Sequence, residues 1–199
     1  MKKNLISSHG GYRKLRSFQT AQVVYDATIV FCRRFVSKFS RTHDQMVQAA
    51  RSGVQNIAEG SMASATSKKT ELKLTNVARA SLEELLLDYE DFLRQCGLPR
   101  WEKSSQQALA VRRKYLSERS DLSDPSDVSD RSEGSDLSDP HSISTVSPEV
   151  AANTLICLIN QASYLLGKQI QYLEQKFLTE GGFTEKLYKA RSQLKSLRY

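Results

Sequence analysis

The sequence has few of the residues on which most enzymatic and metal sites depend. It contains three cysteines and three histidines in 199 residues. The motifs C-x-x-C, H-E-x-x-H, G-x-x-x-x-G-K-[ST] and G-x-S-x-G are absent. None of the histidines stands three residues after a glutamate, the spacing of the di-metal carboxylate bundles. We therefore expect a protein that is not an enzyme and that uses no cofactor and no metal.

The cysteines also bear on the compartment. Cys32, Cys96 and Cys157 are far apart and odd in number, which predicts reduced, partly buried side chains of a cytoplasmic protein. The first residues include two lysines but no apolar run of signal-peptide length. No stretch of about 18 consecutive apolar residues is present. We expect a cytoplasmic protein without a membrane span.

Proline and glycine are scarce, with four and nine residues, and alternating Val, Ile and Thr patterns are few. This composition predicts an all-α fold. Residues 1–11 lack periodicity and are expected to form a flexible leader. The first helical stripe starts near Phe18 and repeats every three or four residues. Its members are Ala21, Val24, Tyr25, Thr28, Cys32, Phe35 and Phe39.

A basic edge is predicted near the end of this first helix. Arg34, Lys38 and Arg41 are spaced at i, i+4 and i+7, so that they share one face of a continuous helix. Two interpretations stay open. The cations contact a polyanion, or they complement the negative end of the helix dipole.

Residues 49–60 read A-A-R-S-G-V-Q-N-I-A-E-G, and their small side chains let a helix approach its neighbours closely. Thr42 or Asp44 is expected to cap this second helix, and Gly60 to end it. Glu59 is the one acid that invites a catalytic interpretation. Without a histidine or second acid nearby in sequence, such an acid more often satisfies neighbouring donors.

The third helix is expected to start at Thr66 or Ser67 and to stop at Gly97-Leu98-Pro99. Its apolar stripe comprises Leu74, Ala78, Leu82, Leu85, Tyr89, Phe92 and Cys96. A helix of about 30 residues is about 45 Å long, which suits an elongated bundle. Cations oppose the dipole in a first helical turn, so three lysines there point to a function in binding. They are Lys68, Lys69 and Lys73.

A shorter helix is predicted over 102–116, and Arg112, Arg113 and Lys114 form a basic cluster near its end. Trp101 precedes this helix. The tryptophan either plugs one end of the core, as buried aromatic residues commonly do, or stacks on a nucleic-acid base.

The composition changes abruptly from Ser120 to Pro140, where the chain consists of seven triplets, SDL-SDP-SDV-SDR-SEG-SDL-SDP. A period of three fits neither helix nor strand, and the segment has too little apolar surface to fold. We expect a disordered insert over 117–147. It represents a tolerated repeat expansion, an acidic strip that competes with nucleic acid, or a weak cation site.

Ser147-Pro148-Glu149 is a strong helix start for a last long helix, which continues to about 178. Its apolar stripe is flanked by Asn and Gln side chains, which can lie against another subunit without stranding a charge. The glycine pair at 181–182 ends it. Residues 179–199 are expected to contain a basic amphipathic suffix helix that docks on the bundle, pairs with a partner or touches nucleic acid.

Charge is divided unevenly along the chain. The formal net charge is +7, but residues 117–147 contain eight acidic and two basic residues, a net charge of −6. The rest has 27 basic and 14 acidic residues and carries +13. Such a surface attracts polyanions, of which nucleic acid is the commonest, although a charge surplus also serves solubility alone.

Several segments carry a family resemblance. N-I-A-E-G at 56–60 followed by S-K-K-T-E-L at 67–72 resembles the signature of the bacterial four-helix-bundle family. That family includes the proteins encoded by intervening sequences in large-subunit ribosomal RNA genes and the accessory variability proteins of diversity-generating retroelements. Y-R-K-L at 12–15 and G-L-P-R-W at 97–101 are similar too. The resemblance covers 12–116 and 148–178, and the residues after 180 resemble the variant with a four-helix-bundle suffix.

The resemblance implies an up-and-down four-helix bundle that assembles into a homopentamer. It also implies a basic surface that binds nucleic acid and, in the retroelement branch, a reverse transcriptase partner. Asn56, Ile57, Ala58, Glu59 and Gly60 are then structural signature residues. The alternative function is that of a protein–protein scaffold without a direct role in nucleic-acid binding.

Overall fold

The computed structural model describes residues 11–120 and 142–196. Within these ranges the chain forms a short 3-10 helix, Gly11–Lys14, and six α-helices, and it contains no strand. The α-helices are α1 (Arg16–Phe35), α2 (Arg41–Ala63), α3 (Lys68–Gln95), α4 (Gln106–Ser120), α5 (Pro148–Glu180) and α6 (Phe183–Ser196). The predicted all-α fold is confirmed.

Four of the helices, α1, α2, α3 and α5, form an up-and-down bundle in which each packs against the next in that cyclic order. Contacts between helix ends fix the direction of α5. Ser17, at the start of α1, donates a hydrogen bond to Gln169, late in α5, over 2.6 Å. Asn153, at the start of α5, accepts from the backbone of Trp101, just after α3. Thus α5 runs antiparallel to both α1 and α3.

An aromatic cluster occupies the core between α1 and α3. The ring of Phe31 lies edge-on to Tyr89 and to Phe92, with 4.9 Å between ring centroids in each pair. Tyr89 is fully buried, and its hydroxyl donates to Thr28 Oγ1 over 3.0 Å. The buried phenol is therefore satisfied and the two helices are held in register.

The helix starts agree with the sequence in two cases and differ in one. The hydroxyls of Ser67 and Ser147 accept from the backbone N–H groups three residues on, and cap α3 and α5 as predicted. The expectation that Thr42 or Asp44 caps α2 is wrong, because Ser40 does so and accepts from the N–H of Thr42. α2 therefore begins two to four residues earlier than the sequence pattern suggests.

The first helix is shorter than its predicted stripe. α1 ends at Phe35, and Phe39 lies in the following loop with 98% of its surface exposed. Lys38 belongs to the same loop, and Arg41 is the first residue of α2. The prediction that Arg34, Lys38 and Arg41 share one helical face is therefore wrong, since the helix that would align them stops at Phe35.

Gly60 does not end the second helix. α2 continues to Ala63, and Gly60 is buried within it. A Cβ atom at this position would lie 3.3 Å from the backbone oxygen of Glu71 and 3.3 Å from the Cβ of Leu74. The glycine lets α2 approach the first turns of α3, so segments 56–60 and 67–72 pack against each other.

The insert is narrower than the predicted disordered range of 117–147. α4 continues to Ser120, and residues 142–147 lead into α5 through turns. Ile143 is fully buried in the core and Val146 packs against it, so this part of the predicted range is anchored by apolar side chains. The remaining residues of the insert, like most of the leader predicted over 1–11, lie outside the described residues.

The last bundle helix ends at Glu180, followed by Gly181 with φ of +70°, and the suffix continues as α6. Among the residues that the structure describes, one segment, Pro148–Glu185, is long and apolar enough to span a membrane, and 56% of its most apolar window is buried within the bundle. The four-helix arrangement accounts for that apolar composition, since α5 packs against both α1 and α3.

Candidate nucleic-acid interface

The lysines at the start of α3 differ in their surroundings. Lys68 Nζ lies 2.9 Å from Glu71 Oε2, and both side chains are mostly buried, with 21% and 11% exposed. Lys69 and Lys73 are exposed one turn apart on the same helix. Glu71 is a buried acid that needs a partner, which explains a lysine in a first turn. Lys68 thus has a structural role, and Lys69 and Lys73 are the better placed to meet a polyanion.

Arg34 is likewise engaged in structure. Its guanidinium donates to the carbonyl oxygens of Ile143 and Val146, and it also lies 4.4 Å from the ring centroid of Phe35. These contacts tie the end of α1 to the segment that enters α5. Lys38 and Arg41 are exposed at the same end of the bundle.

The third predicted cluster lies on α4. Arg112 donates to the backbone carbonyl of Lys103 and is half-buried, whereas Arg113 and Lys114 are exposed. Arg112 therefore faces the bundle and the other two face outward. The three clusters do not line a common cleft, and only Arg112 lines a cleft with other cations.

That cleft, with a volume of about 230 Å³, lies between α4, the turn after α3 and the first half of α5. We call it the α4–α5 cleft. It is lined by Arg100, Trp101, Lys103, Ala108, Arg112, Ile156, Cys157, Asn160 and Gln161. Its walls combine three cations, one aromatic ring and two amide side chains, the groups that contact phosphates and bases.

Asn153 holds the tryptophan side of the cleft in place. This buried amide accepts from the backbone N–H of Trp101 over 2.8 Å and donates to the carbonyl of Pro99 over 3.0 Å. The indole N–H of Trp101 donates to Glu149 over 3.3 Å. Trp101 is half-buried, so it lies against the start of α5 and lines the cleft, and it does not plug the core as one interpretation of the sequence proposed.

The field in the α4–α5 cleft is positive. Arg100 pairs with Glu90 at 2.7 Å, whereas Lys103 and Arg112 form no ion pair with a carboxylate of the described residues. Burial raises the pKa of the Cys157 thiol, and the nearby guanidinium groups of Arg112 and Arg100 partly oppose that rise. The guanidinium groups that oppose the rise in the thiol pKa would also attract a phosphate.

A second cleft makes a useful contrast. It has a volume of about 370 Å³ and lies between α2 and α3. Its charged lining residues are Arg41, Asp44 and Glu84, one base against two acids. The larger cleft is therefore unsuited to a polyanion. The α4–α5 cleft is the better candidate for a nucleic-acid site.

The signature residues are structural. Ile57 and Gly60 are buried, Ala58 is half-buried, and the amide of Asn56 donates to the carbonyl of Ser52 within the same helix. Glu59 is exposed on the surface of α2, so the expectation that it satisfies neighbouring donors is not supported. The buried acid of this region is Glu71, which the sequence pattern did not single out.

The cysteines lie apart from one another. Cys32 is buried beside Met46, and burial together with the charge of Asp88 raises its pKa to about 12. Cys96 is exposed and Cys157 lies in the α4–α5 cleft. Among the described residues, no group of three or more His, Cys, Asp or Glu is arranged to hold a metal ion.

Sequence reasoning missed Arg100, Lys103, Asn160 and Gln161. A signal was present, since Arg100 and Lys103 flank the single tryptophan in the sequence R-W-E-K. The amides belong to the Asn/Gln face of α5, which sequence reasoning assigned to subunit contacts. Comparisons with protein-family models, with curated proteins and with solved structures find no match for this chain.

Proposed function

We propose that this chain is a non-enzymatic nucleic-acid-binding accessory protein. The observation that carries the proposal is the α4–α5 cleft, where Lys103 and Arg112 stand beside Trp101 and the amides of Asn160 and Gln161. Cations position phosphates, whereas an aromatic ring and amide groups contact bases.

The charge distribution supports the same proposal. Outside residues 117–147 the chain has a net charge of +13. Phosphate contacts then dominate the affinity, because each one releases counterions condensed on the nucleic acid. Binding is expected to be steeply salt-dependent and to show little sequence preference.

A salt titration of fluorescence anisotropy with labelled RNA and DNA tests the proposal. We expect affinity to fall by orders of magnitude between about 50 and 200 mM salt. Failure to bind either nucleic acid at the lowest salt would refute the function.

Matched variants locate the site. The double variant Lys103→Gln/Arg112→Gln removes two charges from the α4–α5 cleft. The control Arg51→Gln/Arg79→Gln removes two exposed charges from α2 and α3. The cleft variant is expected to lose more affinity than the control, and equal losses would show that only net charge matters.

The family resemblance adds three further proposals: a cytoplasmic homopentamer, a reverse transcriptase partner, and an origin in a retroelement or in a ribosomal RNA intervening sequence. Light scattering gives the subunit number directly. The genomic neighbourhood decides the context, because a reverse transcriptase gene with template and variable repeats marks a retroelement. A gene inside a ribosomal RNA gene marks the other branch.

A protein–protein scaffold is the second candidate function. It is favoured by large exposed side chains near the junction of α5 and α6, where Leu178 is 82% exposed and Tyr188 is 74% exposed. Such side chains are typical of partner surfaces. Recovery of protein partners that is insensitive to nuclease, without any nucleic acid, would favour this function.

A further inference from the structure

The outward face of α5 carries aromatic and cationic side chains in alternation. Tyr164 and Tyr172 are 60% and 59% exposed. Lys168 Nζ lies 5.8 Å from the ring centroid of Tyr164, and Lys176 Nζ lies 5.6 Å from that of Tyr172. Because these four residues follow one another at intervals of four, they form a row along the helix. We call it the Tyr/Lys row.

The row is continuous with the α4–α5 cleft. Asn160 lines that cleft and stands four residues before Tyr164, one helical turn away. From Asn160 to Lys176 the helix rises about 24 Å. The cleft therefore adjoins the start of the Tyr/Lys row, which winds along α5 toward Lys176, since each step of four residues turns about 40° around the helix.

Cations outnumber acids along this surface, although Glu174 is exposed between Tyr172 and Lys176. Between Glu149 and Glu174, α5 contains no acidic residue, and Lys168 is its one charged side chain. The outward positions beside the row include Gln171 and Gln175, which are exposed and uncharged. The surface presents cations, amides and aromatic rings, and it complements a polyanion that also has flat rings.

We propose that the α4–α5 cleft and the Tyr/Lys row together bind single-stranded nucleic acid. Bases stack on Trp101, Tyr164 and Tyr172, and phosphates contact Lys103, Arg112, Lys168 and Lys176. The inference rests on the proposed function and specifies its ligand. An exposed cation–π contact is weak, so each lysine can turn from its ring to a phosphate when a strand binds.

Single strands fit this surface better than duplexes. In a duplex the faces of the bases are already stacked on neighbouring bases, so they are not available to the aromatic rings of the protein. Aromatic platforms interleaved with cations are the means by which proteins bind single strands without reading their sequence. A protein partner is the competing occupant of an exposed tyrosine row. Lysine is depleted in protein interfaces, which favours the nucleic acid.

Matched substitutions test the proposal. Tyr164→Leu/Tyr172→Leu keeps apolar bulk but removes both aromatic faces, whereas Tyr164→Phe/Tyr172→Phe keeps the faces and removes the hydroxyls. Tyr188→Leu, at an exposed tyrosine of α6, is the control. The probes are a labelled oligothymidylate and a labelled DNA duplex of the same length, measured by anisotropy at low salt.

We expect the leucine pair to weaken single-strand binding at least about tenfold. The phenylalanine pair, the Tyr188 variant and the duplex affinity of every variant should remain near the wild-type values. Because Trp101 is the only tryptophan, the oligothymidylate should also quench the intrinsic fluorescence of the wild-type protein.

The possible failures are distinguishable. Unchanged single-strand affinity of the leucine pair overturns the inference, and so does an equal loss of single-strand and duplex binding. If the leucine pair changes only the subunit number in light scattering, the row is a protein interface. Wild-type protein that binds the duplex alone overturns the single-strand path and leaves the proposed function standing, whereas binding of neither probe removes both.

Discussion

The guanidinium of Arg34 donates from Nη1 to the carbonyl oxygen of Val146 over 2.9 Å. The same group reaches the carbonyl of Ile143, so one side chain at the end of α1 fixes the segment that leads into α5. Arg34 therefore connects two helices that are more than a hundred residues apart in sequence. The contact assigns a structural role to a residue that the sequence suggested for binding.

Arg34→Gln is expected to lower the free energy of unfolding by about 1 to 2 kcal/mol, because two backbone carbonyls lose a charged donor. Urea unfolding measures the loss. The matched variant Lys38→Gln removes an exposed charge from the adjacent loop and should leave stability nearly unchanged. If both variants unfold at the wild-type urea concentration, Arg34 has no structural role.

Gly60→Ala is expected to destabilise the protein by about 1 to 2 kcal/mol although alanine favours a helix. The added methyl group would press against the backbone oxygen of Glu71 and the Cβ of Leu74, neither of which moves easily. Gly167→Ala is the control, since a Cβ there meets nothing within 4 Å. This second variant should gain about 0.5 to 1 kcal/mol from helix propensity. Effects of the same sign at both glycines would contradict the close packing of α2 and α3.

Asn153→Ala is expected to cost about 1 to 3 kcal/mol, because Trp101 N–H and the Pro99 carbonyl lose a buried partner. Loosening of the turn should also change the fluorescence emission of Trp101 in the folded state. The control is Asn160→Ala, where an exposed amide bonds only to a carbonyl of its own helix. Wild-type stability and emission in the Asn153 variant would disprove the anchoring role.

Cys157 can report on occupancy of the α4–α5 cleft in a Cys96→Ser background. Arg112 and Arg100 lower a thiol pKa that burial raises, so a polyanion that neutralises them should raise this pKa further and reduce the thiolate fraction. We expect slower reaction of Cys157 with a disulfide reagent near pH 8 when nucleic acid is bound. Cys32 should stay silent, because its pKa is about 12 and it is buried.

High salt supplies the control for the thiol measurement. It should release the nucleic acid and restore the reaction rate of the free protein. A rate that saturating nucleic acid leaves unchanged would place the binding site elsewhere.

Neutralising the acidic insert is expected to strengthen nucleic-acid binding. Residues 121–140 contain seven acidic residues and one arginine, so replacing the acids by Asn and Gln raises the net charge from +7 to +14 at constant length. The gain in affinity should shrink as salt is added, because it is electrostatic. A shuffled insert of the same composition should bind like the wild type. Equal affinities at low salt for the neutral and the native insert would rule out competition by the acidic segment.

The sequence was sufficient for the fold because the helices of this bundle are long and their apolar residues recur every three or four positions. Ser147 is recognisable as a cap because a proline and an acid follow it, whereas the sequence leaves Thr66 and Ser67 as alternative caps for α3. Gly60 was misinterpreted because a glycine that ends a helix and one that permits a close approach look alike in sequence. Only the position of Glu71 on the neighbouring helix distinguishes them.

The candidate site was less predictable. Charge and spacing place three residues in predicted binding clusters, namely Arg34, Lys68 and Arg112. The role of each depends on the group that its side chain contacts in the fold. A buried carboxylate holds Lys68, backbone carbonyls hold Arg34, and an α5 wall faces Arg112. The α4–α5 cleft joins residues more than fifty positions apart, which a local pattern does not reveal.

The connection between α3 and α5 has a consequence for how the chain folds. α1, α2 and α3 follow one another through short loops, whereas α5 must return to them across residues 96–147. Closing a loop costs only about 0.6 kcal/mol more for each doubling of its length. Gain or loss of a few Ser-Asp triplets should therefore change the free energy of unfolding little, and we expect the bundle to tolerate a change in repeat number.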